Sequence, residues 1–287
     1  MRAIYNKELK SFFVGPMGMI FIAFMLLVIG LYTWAINFIQ LMPNFEYALY
    51  SATLVYLFLI PILTMRSIAE EKRTRTEQLL FSAPVKVSDI VLGKYFAMLT
   101  ILAIPLAVTA AYPLIISMYG TINYASAYLM LFAFFLLGAA LTSIGMFISS
   151  MTENQILAAV FSLAAMLMLY FMKSLVSMIT ASAVSALVMF TVFVVAFSAI
   201  VHAMTSSRNL AVILGFVIEI AVVVLYSLYP AVLTGAFNTM LNAFALFSKL
   251  DNFYFGILDL GALAYYLSVC TLFVLFTIQS IEKRRWS

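Results

Sequence analysis

The chain has 287 residues, of which 66% are hydrophobic and only 9% charged, and its mean hydropathy is +1.14. A water-facing globular surface needs about a quarter of its residues charged, so this composition excludes an ordinary soluble fold and makes a bilayer the natural solvent. The net charge of +4 says less than where the charges fall.

The first element is predicted over residues 1–15. Tyr5, Leu9, Phe12 and Phe13 recur at helical spacing, while Asn6, Lys7 and Lys10 occupy another face. That pattern reads as a short amphipathic helix on the membrane surface, ended by Gly15 and Pro16. Eight apolar segments then follow, at 17–38, 47–65, 91–118, 125–149, 156–172, 183–201, 210–229 and 260–281. Continuous runs of about 20 apolar residues match the length a helix needs to cross a bilayer. Barrel strands would alternate apolar and polar positions instead. The expected fold is therefore all-α and polytopic, with about eight transmembrane helices. The first run is too long for a typical signal-peptide core and lacks a small-residue cleavage site.

Between the second and third segments lies the longest hydrophilic stretch, a loop over 66–90 that runs on into the third segment at Lys94. Ser67-x-x-Glu70 and Thr74-x-x-Glu77 each match a capping box, which predicts one or two short helices. Leu79, Leu80 and Phe81 give the stretch an apolar end, Pro84 stops it, and Ser88 or Asp89 is placed to cap the next span. A charged helix with an apolar knob suits docking on a soluble partner. After the fourth segment, Glu153 and Asn154 mark a second short turn. Residues 230–259 hold Phe237, Phe244, Phe247, Phe253, Tyr254 and Phe255, too aromatic for a solvated loop. Short helices dipping into the outer interface are expected there, where aromatic side chains are favoured.

With the N-terminus in the cytoplasm, thirteen of the 15 basic residues fall inside and only Lys173 and Lys249 outside. This bias predicts both termini cytoplasmic and an even number of spans. Six spans remains the alternative count.

The residues of familiar catalytic sites are missing. Gly93-Lys94-Tyr95 lacks the upstream glycine and following hydroxyl of a phosphate-binding loop. There is no His-Glu-x-x-His; His202 is the sole histidine and Cys270 the sole cysteine. No catalytic or metal site is expected, nor any cofactor in this chain. Glu219 stands near the middle of the 210–229 run, where a charge is costly. It reads either as a substrate or proton contact or as an interhelical hydrogen bond. Gly138, Thr142, Gly145 and Ser149 form a small-residue stripe suited to a close helix crossing.

The loop carries a family likeness. Ala69-Glu70-Glu71-Lys72-Arg73-Thr74, Thr76-Glu77-Gln78-Leu79-Leu80, Ser82-x-Pro84-Val85 and Ile90-Val91-Leu92-Gly93-Lys94-Tyr95 together resemble the ABC-2 class of ABC transporter permeases. Lys7-Glu8-Leu9-Lys10-Ser11-Phe12-Phe13 with Pro16 is similar to that family's N-terminal connecting helix. Ser149-Ser150-Met151-Thr152-Glu153-Asn154-Gln155 and the C-terminal close through Trp286 resemble permeases of the gliding-motility GldF type. The likeness departs at Arg75, where the family often has glycine.

The resemblance implies a single transmembrane permease domain over 1–287. It would hold a six-helix core and an extra pair between Glu153 and Pro230. It implies a coupling helix in which Glu70, Glu71, Lys72, Arg73, Thr76, Glu77, Leu80 and Pro84 meet an ATPase. Glu153 and Asn154 would make a second cytoplasmic contact, and Lys7, Glu8 and Phe12 would belong to the connecting helix. The implied partners are two copies of an ATP-binding subunit, which bind ATP and Mg, and a second permease copy or homologous permease. The lipid bilayer and room for an auxiliary membrane protein complete the set; nucleic acid is not among them. Export across a bacterial cytoplasmic membrane would be the function. An ion-gradient-driven transporter or channel, or a structural subunit of a secretion or motility complex, stands as the alternative.

Overall fold

A computed structural model describes residues 1–76, 85–178, 183–205 and 208–285. Among them every regular element is helical. In chain order these are α1 (Arg2–Val14), α2 (Pro16–Thr33, continued as a π-helical turn over Trp34–Ile39), α3 (Phe45–Ala52) and α4 (Val55–Thr64). Then come α5 (Ala69–Arg73), α6 (Val87–Thr109), α7 (Tyr112–Ile116), α8 (Tyr124–Met151) and α9 (Gln155–Met178). The series closes with α10 (Ala183–Thr205), α11 (Arg208–Leu228), α12 (Pro230–Phe244), α13 (Asp251–Tyr254) and α14 (Leu260–Arg285).

All eight predicted apolar segments fall on helices, but fewer qualify as simple spans. Among the described residues, five helices are long and apolar enough to cross a membrane, or up to seven if two bent pairs each count as one span. One pair is the predicted second span. It bends by 54° where α3 meets α4, so the predicted segment over 47–65 is a broken helix. The other pair joins α11 to α12 at 115°. Among the described residues of α10, Ala186–Val195 forms a shorter apolar helix.

The chain divides into two compact units, one formed by Met1–Met168 with Lys249–Ser287 and the other by Leu169–Ser248. Helices α10 and α11, within the 153–230 stretch expected to hold an extra pair, lie in the second unit.

In the first unit α8 is the central element. It packs against α3, α4, α6 and α14, and 72% of its apolar window is buried, against 22% for α2. Its small residues make this possible. A Cβ added at Gly138 would lie 2.8 Å from Leu102 and 2.9 Å from the Tyr56 ring, and one at Gly145 would lie 2.4 Å from the Thr64 hydroxyl. Tyr56 donates its hydroxyl hydrogen to the Phe134 carbonyl at 3.0 Å, and Tyr95 does the same to Ala139 at 3.1 Å, so both buried phenols are satisfied. Asn123 accepts from the amides of Ala125 and Ser126 and so caps the start of α8.

At the other end of this unit from α1, the turn after Lys249 seats α13 on α3. Tyr50 donates to Asp251 at 2.8 Å, and the Tyr47 and Tyr254 rings stack at 4.6 Å. Asp259 caps α14. The Ala262 amide and, next, the Asn252 side chain hold its carboxyl below the usual carboxylate range. Short helices expected in 230–259 are thus present as α12 and α13.

The second unit packs α10, α11 and α12 around Met172, Ala186, Val194, Val222, Phe237 and Leu241. Gly215 is buried there, and a Cβ on it would meet the Ser198 hydroxyl at 2.2 Å, so α10 and α11 cross closely.

Candidate functional site

The charged residues of α1, α5 and α6 converge on one ammonium group. Lys94 stands in the second turn of α6, beside Gly93. A Cβ at Gly93 would lie 3.1 Å and 3.2 Å from side-chain atoms of Ile4, so the glycine lets α1 lie close across the start of α6. Tyr5 fixes the same contact through a 3.0 Å hydrogen bond with Thr100. Lys94 is only 3% exposed, and its Nζ lies 3.1 Å from Glu8 Oε1 and 2.8 Å from Glu71 Oε1. An unpaired ammonium there would be strongly unfavourable; two carboxylates from two other elements compensate it. Lys7, mostly exposed, approaches the same carboxylates at 3.8 and 3.6 Å and completes a balanced set of two cations and two anions.

Helix α5 is held a second time, by the end of α8. The Ser149 hydroxyl accepts from the amides of Ile68 at 3.3 Å and Ala69 at 3.2 Å, and its oxygen lies 3.3 Å from the Met65 carbonyl. Lys72 is buried and donates to the Ser150 carbonyl, where the last turn of α8 carries negative partial charge. The predicted capping box at Ser67 is corrected by this arrangement. Ser67 donates instead to the Thr64 carbonyl at 2.8 Å, and the cap on α5 comes from Ser149. Ser88 and Asp89 do not cap α6 either; they lie inside its first turn.

Arg75 has a φ of 57°, in the left-handed region that disfavours residues with a Cβ. It closes α5, with its amide bonded to the Lys72 carbonyl at 3.1 Å. A glycine would enter this conformation without strain. The substitution Arg75→Gly is therefore expected to raise stability by about 1 kcal/mol, read as a higher thermal midpoint of the purified protein. A lower midpoint would show that the arginine side chain contributes more than the strain removes.

The remaining predicted residues distribute around this core. Arg73 and Thr76 are exposed beyond Lys72, and Thr76 shares a 3.0 Å hydrogen bond with Thr74. Glu70 faces a cavity of about 160 Å³ whose lining includes Glu8, Ser11, Phe12, Arg66 and Ser67. The Phe12 carbonyl sits where a Cβ on Gly18 would be 2.6 Å away, so α1 and α2 meet tightly. Glu153 lies 3.7 Å from Arg284 of α14, and Asn154 accepts from the Ile156 amide at the start of α9. Glu77, Leu80 and Pro84 lie outside the described residues. Glu219 lies in the second unit, where its Oε1 accepts from the Thr191 hydroxyl at 2.7 Å.

Four polar residues emerge that sequence reasoning did not place in a site. Lys94 was part of the quoted motif, and its position just inside an apolar run was the available signal. Ser149 belonged to the small-residue stripe, and Ser150 to the Ser149–Gln155 stretch that carries the family likeness. Glu46 is buried in the first turn of α3 and accepts from the Ser126 hydroxyl. It sits at the edge of an apolar run, where a carboxylate passes for an interfacial residue. Among the described residues, no group of three or more His, Cys, Asp or Glu side chains gathers to hold a metal ion.

No curated protein and no solved structure matches this chain. A family model does: that of the ABC-2 family transporter protein matches residues 36–229, more than half of the chain, from the π-helical turn of α2 to the residue after α11. The match takes in α5, its Ser149 cap and Lys94 alike. With helices long and apolar enough to cross a membrane several times, the chain belongs to the ABC-2 family of transporter proteins.

Proposed function

We propose that this chain is the permease subunit of an ABC exporter in a bacterial cytoplasmic membrane, of the GldF-like kind, with both termini in the cytoplasm. Two copies of a separate ATP-binding subunit bind ATP and Mg and do the hydrolysis. A second permease copy or homologous permease completes the pathway, with room for an auxiliary membrane protein. The chain itself is not an enzyme and holds no cofactor.

The observation that carries this reading is the Lys94 cluster. A partner pressing on α5 and the exposed Arg73–Thr76 turn would push an element bonded to α1 through Lys94 and to α8 through Ser149. Rigid, mutually bonded helices pass on a displacement that a loose loop would absorb. Glu70, Glu71, Lys72, Arg73 and Thr76, together with Glu77, Leu80 and Pro84, form the receiving surface. Glu153 and Asn154 add a second contact, and Lys7, Glu8 and Phe12 carry motion into the connecting helix. The test is reconstitution with the ATP-binding subunit in lipid nanodiscs. A stable complex in which the chain changes ATP turnover several-fold is expected. An ATP-binding subunit that neither binds nor changes its turnover would remove the proposal.

One observation favours a second reading, transport driven by an ion gradient. Glu219 lies in an apolar helix, and its Oε2 is buried without a partner among the described residues. Intramembrane carboxylates often serve ion pathways. Proteoliposomes under an imposed proton gradient distinguish the two. The ATP-driven reading predicts no flux through the chain alone, with or without Glu219→Gln. A flux abolished by Glu219→Gln would favour the ion-driven one.

A further inference from the structure

At the far end of α2 from α1, the helix widens into the π-helical turn Trp34–Ile39. Such turns are uncommon and concentrate where a helix serves a function. Beside this one lies a cavity of about 170 Å³, lined by Gly30, Thr33, Trp34, Phe38, Tyr112 and residues of α7. Its lining is apolar and aromatic apart from the Thr33 and Tyr112 hydroxyls and the Trp34 indole N–H, and the Thr33 hydroxyl already donates to the Ile29 carbonyl at 2.8 Å. Gly30 lines this groove without a side chain, and a Cβ there would lie 3.7 Å from the Tyr112 hydroxyl.

Its rim is built from side chains that face away from the protein. Trp34 is 58% exposed and Ile115 46%. Both walls belong to helices long and apolar enough to cross the membrane. The medium at the mouth is therefore hydrocarbon. Trp and Tyr side chains at the end of a span mark the level where acyl chains meet headgroups.

We propose that this groove holds one acyl chain of a bilayer phospholipid, seated between α2 and α7 against Gly30. The lipid is held as a resident wedge, not as one of the rapidly exchanging lipids around the protein.

Trp34 and Trp286 are the only tryptophans, so Trp286→Phe leaves Trp34 as the sole emitter. The full chain in detergent is titrated with phosphatidylcholine brominated on one acyl chain near the headgroup. Trp34 emission should fall saturably at one lipid per chain. Gly30→Phe, which fills the groove, should abolish the saturable loss. Leu27→Phe, on the same exposed helix but outside the lining, should preserve it. Quenching that merely follows the lipid fraction in all three proteins overturns the proposal. So does emission that ignores lipid but follows protein concentration, which would assign the groove to a second copy. Should Gly30→Phe fail to fold, native mass spectrometry of the unmutated chain decides: one phospholipid retained through detergent exchange supports the site, and none retained overturns it.

Discussion

Lys94→Met is expected to lower the stability of the purified protein by about 3 kcal/mol, because it leaves Glu8 and Glu71 facing each other with their buried partner gone. The two carboxylates approach the same ammonium from different helices, at 3.1 and 2.8 Å. Lys7 cannot replace it. Its side chain is 63% exposed, and exposed pairs contribute little. A thermal-shift assay should therefore show a large drop for Lys94→Met and a small one for Lys7→Ala. Adding Glu8→Gln and Glu71→Gln to Lys94→Met removes the unpaired charges. Much of the lost stability should return, since a neutral replacement for a buried ion pair is often tolerated. Coupling should not return with it, because the three helices are then no longer tied by charge. A Lys94→Met protein as stable as the parent would show that the cluster does not hold these helices.

Gly145→Val should be comparably damaging, for a steric reason. The Thr64 hydroxyl stands 2.4 Å from the position of the first added carbon, and the Thr64 Cβ and Cγ2 both stand 3.0 Å away. Overpacking of this kind costs about 1–3 kcal/mol, and a β-branched side chain leaves no rotamer that avoids the crossing. Gly145→Ala should cost less, and Thr64→Ala should relieve part of that cost by removing the nearest atom. Separate thermal midpoints for the four proteins of this cycle measure the coupling. Additive effects would mean that α4 and α8 do not meet at this point.

Much of the fold was legible because it rests on one-dimensional signals. Apolar length located the helices, and glycine with proline at residues 15 and 16 separated α1 from α2. The bend in the second span was not legible. It has no glycine or proline at 53–54. The Thr53 hydroxyl instead donates to the Tyr50 carbonyl at 2.6 Å, a local bond that competes with helix continuation and that hydropathy cannot register.

The candidate site divides the same way. The charged loop and its glutamates stood out in the sequence, but their partners did not. Ser149 reaches α5 from about 80 residues further along the chain and displaces the local capping box that the sequence offered. Lys94 reads as part of a motif until Glu8 is brought to it by a helix that Gly93 admits. Arg75 is the instructive intermediate. Its departure from the family's usual glycine was visible in the sequence, and the structure supplies the consequence, a positive φ carried by a residue with a side chain.

The central claim is that α5 and the turn after it receive an ATP-binding subunit, and a site-specific cross-link tests it most directly. Cys270 is the only cysteine, so Cys270→Ser gives a background without one. Arg73→Cys in that background, carrying a short photoreactive label, is reconstituted with the ATP-binding subunit. Arg73 is exposed at the end of α5, and Leu27 is exposed on the apolar face of α2. A cross-link to the ATP-binding subunit from Arg73→Cys and none from Leu27→Cys is the predicted result. A subunit that binds the chain yet is never captured from Arg73→Cys would contradict the account.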